Sequence, residues 1–144
     1  MIVLNKEVTQ LHKDEILHLA KVSIGDTEYN PSKHDDFIEE LDNIFDIYLK
    51  IFSVTKEDSR AISAAVKTIY IRIKQMESVQ DILKKYRVYS TYHKNKNFNV
   101  YMTLDNLAQK WNELNHDTKS NLASGIAGRY NSARFFVLMD NWAN

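Results

Sequence analysis

Histidine and carboxylate side chains are the groups with which this chain could hold a metal or move protons. His12, Asp14 and His18 lie close together, and Asp14 and His18 are four apart, on one face of any helix. His34, His93 and His116 stand apart from them. The chain has no cysteine, which excludes disulfides, thiolate zinc sites and a thiol nucleophile. It contains no glycine-rich phosphate loop, no G-x-S-x-G and no H-E-x-x-H. Serine, histidine and aspartate occur, but no spacing sets them up as a catalytic group. Surface placement accounts for the histidines more simply than metal ligation. The expectation is a non-enzymatic protein with no metal and no cofactor.

Charge patterning is the stronger signal. The net charge of zero, from 19 basic and 19 acidic residues, hides an asymmetry. Residues 1–54 carry a net −6, residues 55–100 a net +6, and residues 101–144 are neutral. Within the acidic part, Asp35, Glu39, Asp42 and Asp46 recur at four, three and four, a single helical stripe widened by Asp36 and Glu40. A solvated face is its ordinary meaning. The functional alternative is a docking surface in which a row of carboxylates imitates phosphates for a basic partner. Arg60, Lys67 and Lys74, seven apart, form a basic stripe that could face it, although surface ion pairs contribute only ~0–1 kcal/mol each. A third surface interleaves basic and aromatic residues: Lys84, Lys85, Arg87, Tyr89, Tyr92, Lys94 and Lys96. Such residues could contact phosphates and stack bases, but the neutral total argues against a nucleic-acid partner and for an ordinary packed element.

The elements that must carry these stripes are mostly helices. Three glycines and one proline in 144 residues disfavour β-sandwiches, propellers and glycine-rich α/β turns. A weak amphipathic pattern predicts a helix near 13–23. Asn30-Pro31 is a good start for a helix over 32–52, with Phe37, Leu41, Ile44, Tyr48 and Ile51 on one face. Its second half adds Phe45, Ile47, Leu49 and Phe52, so it must be buried or bound. Ser53-Val54 reads as a short connection. Thr55-Lys56-Glu57-Asp58 resembles a capping box before Ile62, Val66, Ile69, Ile73 and Met76. Ser78 is a second start, leading to Ile82, Leu83 and Tyr86. Val88 to Met102 is rich in strand formers around Lys94–Asn97 and predicts a short β-hairpin near residues 88–102. Thr103 and Asp117 are predicted to open two more helices, the second stopped by Gly128, before an amphipathic segment from Tyr130 to Trp142.

No linker-like stretch divides the chain. The reading is therefore one mainly α, multi-helix domain over 1–144, in which 44% hydrophobic residues supply a core. No apolar run approaches the ~20 residues of a bilayer span, and the opening residues lack the pattern of a signal peptide.

One ordered set of motifs is similar to a known family. Leu104-Asp105-Asn106-Leu107-Ala108-Gln109-Lys110-Trp111-Asn112-Glu113-Leu114 resembles the Leu-Ala-x-Lys-Trp-x-x-Leu run of the tail tape measure proteins of long-tailed bacteriophages. Ala127-Gly128 matches their Ala-Gly turn, and Leu138-Met139-Asp140-Asn141-Trp142 their closing Leu-Met-x-Asn-aromatic motif, on a helix begun by Phe135 and Phe136. Upstream, Val66-Lys67-Thr68-Ile69-Tyr70-Ile71-Arg72-Ile73 resembles their Leu-Lys-Thr-Ile-x-x-Arg-Leu helix. The resemblance covers residues 56–142 and divides the chain into an acidic segment, 1–54, without a match and a tape-measure-like module, 55–144. The departures are Tyr130-Asn131 and Ala133, where the family places Arg-Gln and an Asn, and Lys94–Asn97 in place of a turn glycine.

The resemblance implies packing, with Trp111, Leu114, Gly128, Met139 and Trp142 as core and turn residues. It implies a phage or prophage protein that binds a protein partner in tail assembly, in the host bacterial cytoplasm or the virion tail, with self-association as a further route. A helical ruler spans ~1.5 Å per residue, so a chain this short would reach only ~200 Å and is no ruler by itself. Either it is a piece of a larger tail protein, or it is a small stand-alone protein. In the second case it is an inhibitor or regulator, for example an anti-defence protein, that binds a host protein through the acidic helix. The apolar half of helix 32–52 and the aromatic residues Tyr130, Phe135, Phe136 and Trp142 are the expected contact surfaces.

Overall fold

The computed structural model describes residues 34–88 and 99–143. Among these residues there are six α-helices: α1 His34–Thr55, α2 Ser59–Gln75, α3 Glu77–Lys85, α4 Val100–Trp111, α5 His116–Ala127 and α6 Ser132–Asp140. A 3₁₀ turn, Arg129–Asn131, joins α5 to α6. No strand occurs among the described residues, so the mainly α architecture holds.

The expected hairpin does not survive where it can be followed. Residues 89–98 lie outside the described residues, but Val100, Tyr101 and Met102, expected in its second strand, form the first turn of α4. The cause is a cap three residues before Met102. The Asn99 side chain accepts a hydrogen bond from the Met102 amide at 3.0 Å, satisfying an N–H that the first helical turn leaves open. Thr103, expected as the cap, is instead buried inside the helix, its hydroxyl donating to the Asn99 carbonyl at 2.8 Å.

Other boundaries move for similar reasons. Ser53-Val54 is not a connection but the last turn of α1, which runs to Thr55. The chain then turns at Lys56, whose φ of 53° is left-handed, with its amide bonded to the Phe52 carbonyl. Asp58 caps α2 by accepting from the Ala61 amide. α3 begins at Glu77 with no side-chain cap, so Ser78 is not its start. α5 is capped by Asn115, two residues before Asp117. Gly128 does end α5, at φ 82° and ψ 155°. The helix expected near 13–23, the Asn30-Pro31 start and the His12, Asp14 and His18 group all lie outside the described residues.

The core explains why α1 is apolar on several sides. Ile44, Phe45, Ile47, Tyr48 and Ile51 are all buried, because α1 packs against both α2 and α6. They meet Ile62, Val66, Ile69, Tyr70 and Ile73 of α2, together with Leu104, Leu107 and Trp111 of α4 and Phe135 and Leu138 of α6, in one cluster. Each such side chain contributes about 1.5–3 kcal/mol on leaving water. α1 is thus a core helix of its own domain, and its second half is not a free docking surface.

Candidate functional site

The motif residues converge on two contacts. In the first, the two tryptophans exchange hydrogen bonds between α4 and the end of α6. Trp111 is buried and its Nε1 donates to Asp140 Oδ1 at 2.8 Å. Trp142 Nε1 donates to Asp105 Oδ1 at 2.7 Å. Each indole stands next to the other motif's carboxylate, so each N–H, costly if left unmet, has its acceptor. Phe135 and Phe136 meet Trp111 edge-on, at ring separations of 5.9 and 5.4 Å. Leu114 is partly buried against the core and Met139 is buried.

This contact extends to α1. The Tyr101 ring lies 4.9 Å from that of Trp142, and its hydroxyl donates to Asp46 at 2.6 Å. Burial, followed by the adjacent Asp46 carboxylate, pushes the Tyr101 hydroxyl well above its ordinary pKa. Lys50 pairs with Asp46 at 3.4 Å and sits 5.7 Å from the Trp142 ring. Trp142 lines a shallow depression of about 360 Å³ with Asp105, Asp140 and Met139, and a second, of about 250 Å³, is walled by Asp46, Lys50 and Asn141.

The second contact joins α2 to the turn after α5. Arg72 Nη1 donates to the Gly125 carbonyl at 3.2 Å, near the carbonyl end of α5 where a cation is favoured. The same guanidinium lies against Gly128, which is buried; a Cβ there would meet Arg72 Nη2 at 3.4 Å. Beyond the turn, Arg134 forks onto Glu57 with bonds of 2.9 and 2.5 Å and also donates to Asn131. The Arg134 hydrogen bond holds the Glu57 carboxyl below its ordinary pKa, and Glu57 raises that of Arg134.

The surfaces expected from the sequence fare differently. In the acidic stripe Glu39 is exposed and Asp42 half-buried, whereas Asp46 is committed to Tyr101 and Lys50. The side chains of Asp35, Asp36 and Glu40 are outside what the structure describes. Arg60 and Lys67 are exposed and form no ion pair with the stripe among the described residues. Lys84, Lys85 and Arg87 are exposed, and Tyr89, Tyr92, Lys94 and Lys96 lie outside the described residues.

Of the aromatic contact residues, Phe135 is buried and Phe136 and Trp142 are partly buried on the core. Tyr130 alone of that group is open, at 88% exposure, with the Arg134 guanidinium 5.7 Å from its ring. The Trp–Asp exchange has a sequence signal that residue spacing alone does not carry: a buried indole N–H needs an acceptor, and each motif carries an aspartate. Among the described residues no group of three or more histidines and carboxylates gathers as a metal site, and no helix is long and apolar enough to cross a membrane. Comparison with known proteins gives no match to a family model and none to a solved structure.

Proposed function

We propose that the chain is a non-enzymatic phage or prophage protein, built on a tape-measure-like core module, that acts through protein–protein contacts in tail assembly. The observation that supports this reading is the pairing of the motifs that carry the resemblance. Segments far apart in sequence lie against one another as Arg72 on Gly125 and Gly128, Trp111 on Asp140, and Trp142 on Asp105. A motif set that closes on itself in space is one packed unit, and its residues serve packing rather than catalysis. What is left for a partner is the outer surface, where Tyr130 offers a large exposed aromatic ring of the kind that anchors interfaces.

The test is genetic. Removal of the coding sequence from the phage or prophage is expected to leave heads without tails, or tails of abnormal form, by electron microscopy of induced cells. Normal tails with full infectivity would overturn the reading.

A further inference from the structure

We propose that the exposed cationic edge where α3 ends beside α4 binds single-stranded nucleic acid through its phosphates. Lys84 and Lys85 close α3, and Arg87 follows in a left-handed turn with φ 62° that aims the chain away from the helix. Lys110, in the last turn of α4, is drawn to this point because its ammonium donates to the Arg87 carbonyl. Arg87 and Lys110 therefore meet at one edge, with Lys84 and Lys85 on the helix end that leads to it, and none of the four forms an ion pair with a carboxylate among the described residues. The acid of α4, Asp105, has both carboxylate oxygens engaged, accepting from Trp142 and Gln109.

The bland account of such cations is that they complement helix carbonyls. Here three of those carbonyls already have backbone partners, the Tyr86 amide on Ile82, the Val88 amide on Leu83 and the Arg87 amide on Lys84, and Lys110 bonds to the Arg87 carbonyl beyond the helix. The three cations exposed on α3 and its turn exceed what the helix end requires. Arg87 and Lys110 also line a depression of about 280 Å³ with Asn106 and Gln109, wide enough for a phosphate group. Tyr86, half-buried between Lys85 and Arg87, has the Lys85 ammonium 5.6 Å from its ring, so an aromatic surface stands within the cationic row. Cations interleaved with an aromatic ring suit a phosphodiester strand bearing bases better than an acidic peptide. The zero net charge argues against a binder that is basic throughout, but the field at one edge is set by the local arrangement of charge.

The probe is a fluorescently labelled oligothymidylate, read by anisotropy with the full chain at ~25 mM salt and in a salt series. Binding is expected, with a slope of log K against log salt of roughly −2 to −3 for three to four phosphate contacts. Lys84→Glu with Arg87→Glu, both on exposed side chains, is expected to weaken binding at least tenfold with an unchanged circular dichroism spectrum. Lys67→Glu, an exposed cation on α2, is expected to leave it within twofold. Absence of binding at low salt would overturn the proposal, as would equal loss in the Lys67 variant. Displacement of the oligonucleotide by an equal charge of polyglutamate would also overturn it, assigning the edge to an acidic protein.

Discussion

Two glycines three residues apart are expected to respond to alanine in opposite directions. Gly125 lies inside α5, where an added Cβ meets only Ile82 Cδ1, at an ordinary 3.5 Å. Alanine there removes the conformational entropy that glycine loses in a helix, so Gly125→Ala should stabilise the protein by about 0.5–1 kcal/mol. Gly128 sits at φ 82° and ψ 155°, a region open essentially to glycine alone, and Gly128→Ala should cost about 1–3 kcal/mol in backbone strain. The nearest atom to its new methyl would be Arg72 Nη2 at 3.4 Å, an ordinary contact, so strain rather than collision sets the cost. At roughly 3 °C per kcal/mol for a chain of this size, Tm should rise about 1.5–3 °C for the first variant and fall about 3–9 °C for the second. Differential scanning calorimetry of both, alone and with Arg72→Ala, separates the causes. The Gly128 penalty should persist without the guanidinium. A Gly128→Ala protein as stable as wild type would refute the reasoning. A penalty that vanishes with Arg72→Ala would show that collision was the cause.

Other outcomes follow from single contacts. Glu57→Gln should lower stability by about 1 kcal/mol at neutral pH, a modest figure because the pair is part-exposed. The Glu57 carboxyl is depressed in the folded state, so its contribution is present above the unfolded carboxylate pKa of about 4.3 and is lost as pH falls through the folded value. Urea melts of both proteins should converge under strongly acid conditions, and a difference that persists there would count against the fork. Lys56→Gly should raise stability by about 0.5–1 kcal/mol: it relieves a left-handed lysine but loses a cation contact with the Phe52 ring, 5.3 Å away, and a lower Tm would contradict this. Glu39→Lys with Asp42→Lys should leave tail assembly unchanged, scored as plaque yield. A sharp fall without unfolding would instead place the partner on the acidic face of α1.

Long-period patterns in the sequence translated into structure, and local competitions did not. The four-and-three spacing of Ile44, Tyr48 and Ile51, and of Ile62, Val66, Ile69 and Ile73, became buried helix faces because burial enforces that period over many residues. Gly128 ended its helix because few other residues accept its backbone angles. Val100 and Tyr101 carry strand preference, but one side-chain cap from Asn99 and burial of Val100, Leu104 and Leu107 on a common helix face outweighed it. The apolar excess of α1 says that it must be covered, not by what. α2 and α6 cover it from within the chain. Asp46 looked like one more member of a solvent stripe. Its hydrogen bond to Tyr101, 55 residues away, is a tertiary fact that no local spacing encodes.

If this packed unit presents its outer surface to a tail component, Tyr130 is where the contact should be found. With a photo-crosslinking phenylalanine analogue in place of Tyr130, irradiation of phage-producing cells and mass spectrometry of the adduct report what touches that ring. A covalent adduct with a structural protein of the tail is expected, and none when the analogue replaces exposed Asn121 of α5. An adduct only with a host protein unrelated to the tail, or none at Tyr130, would contradict it.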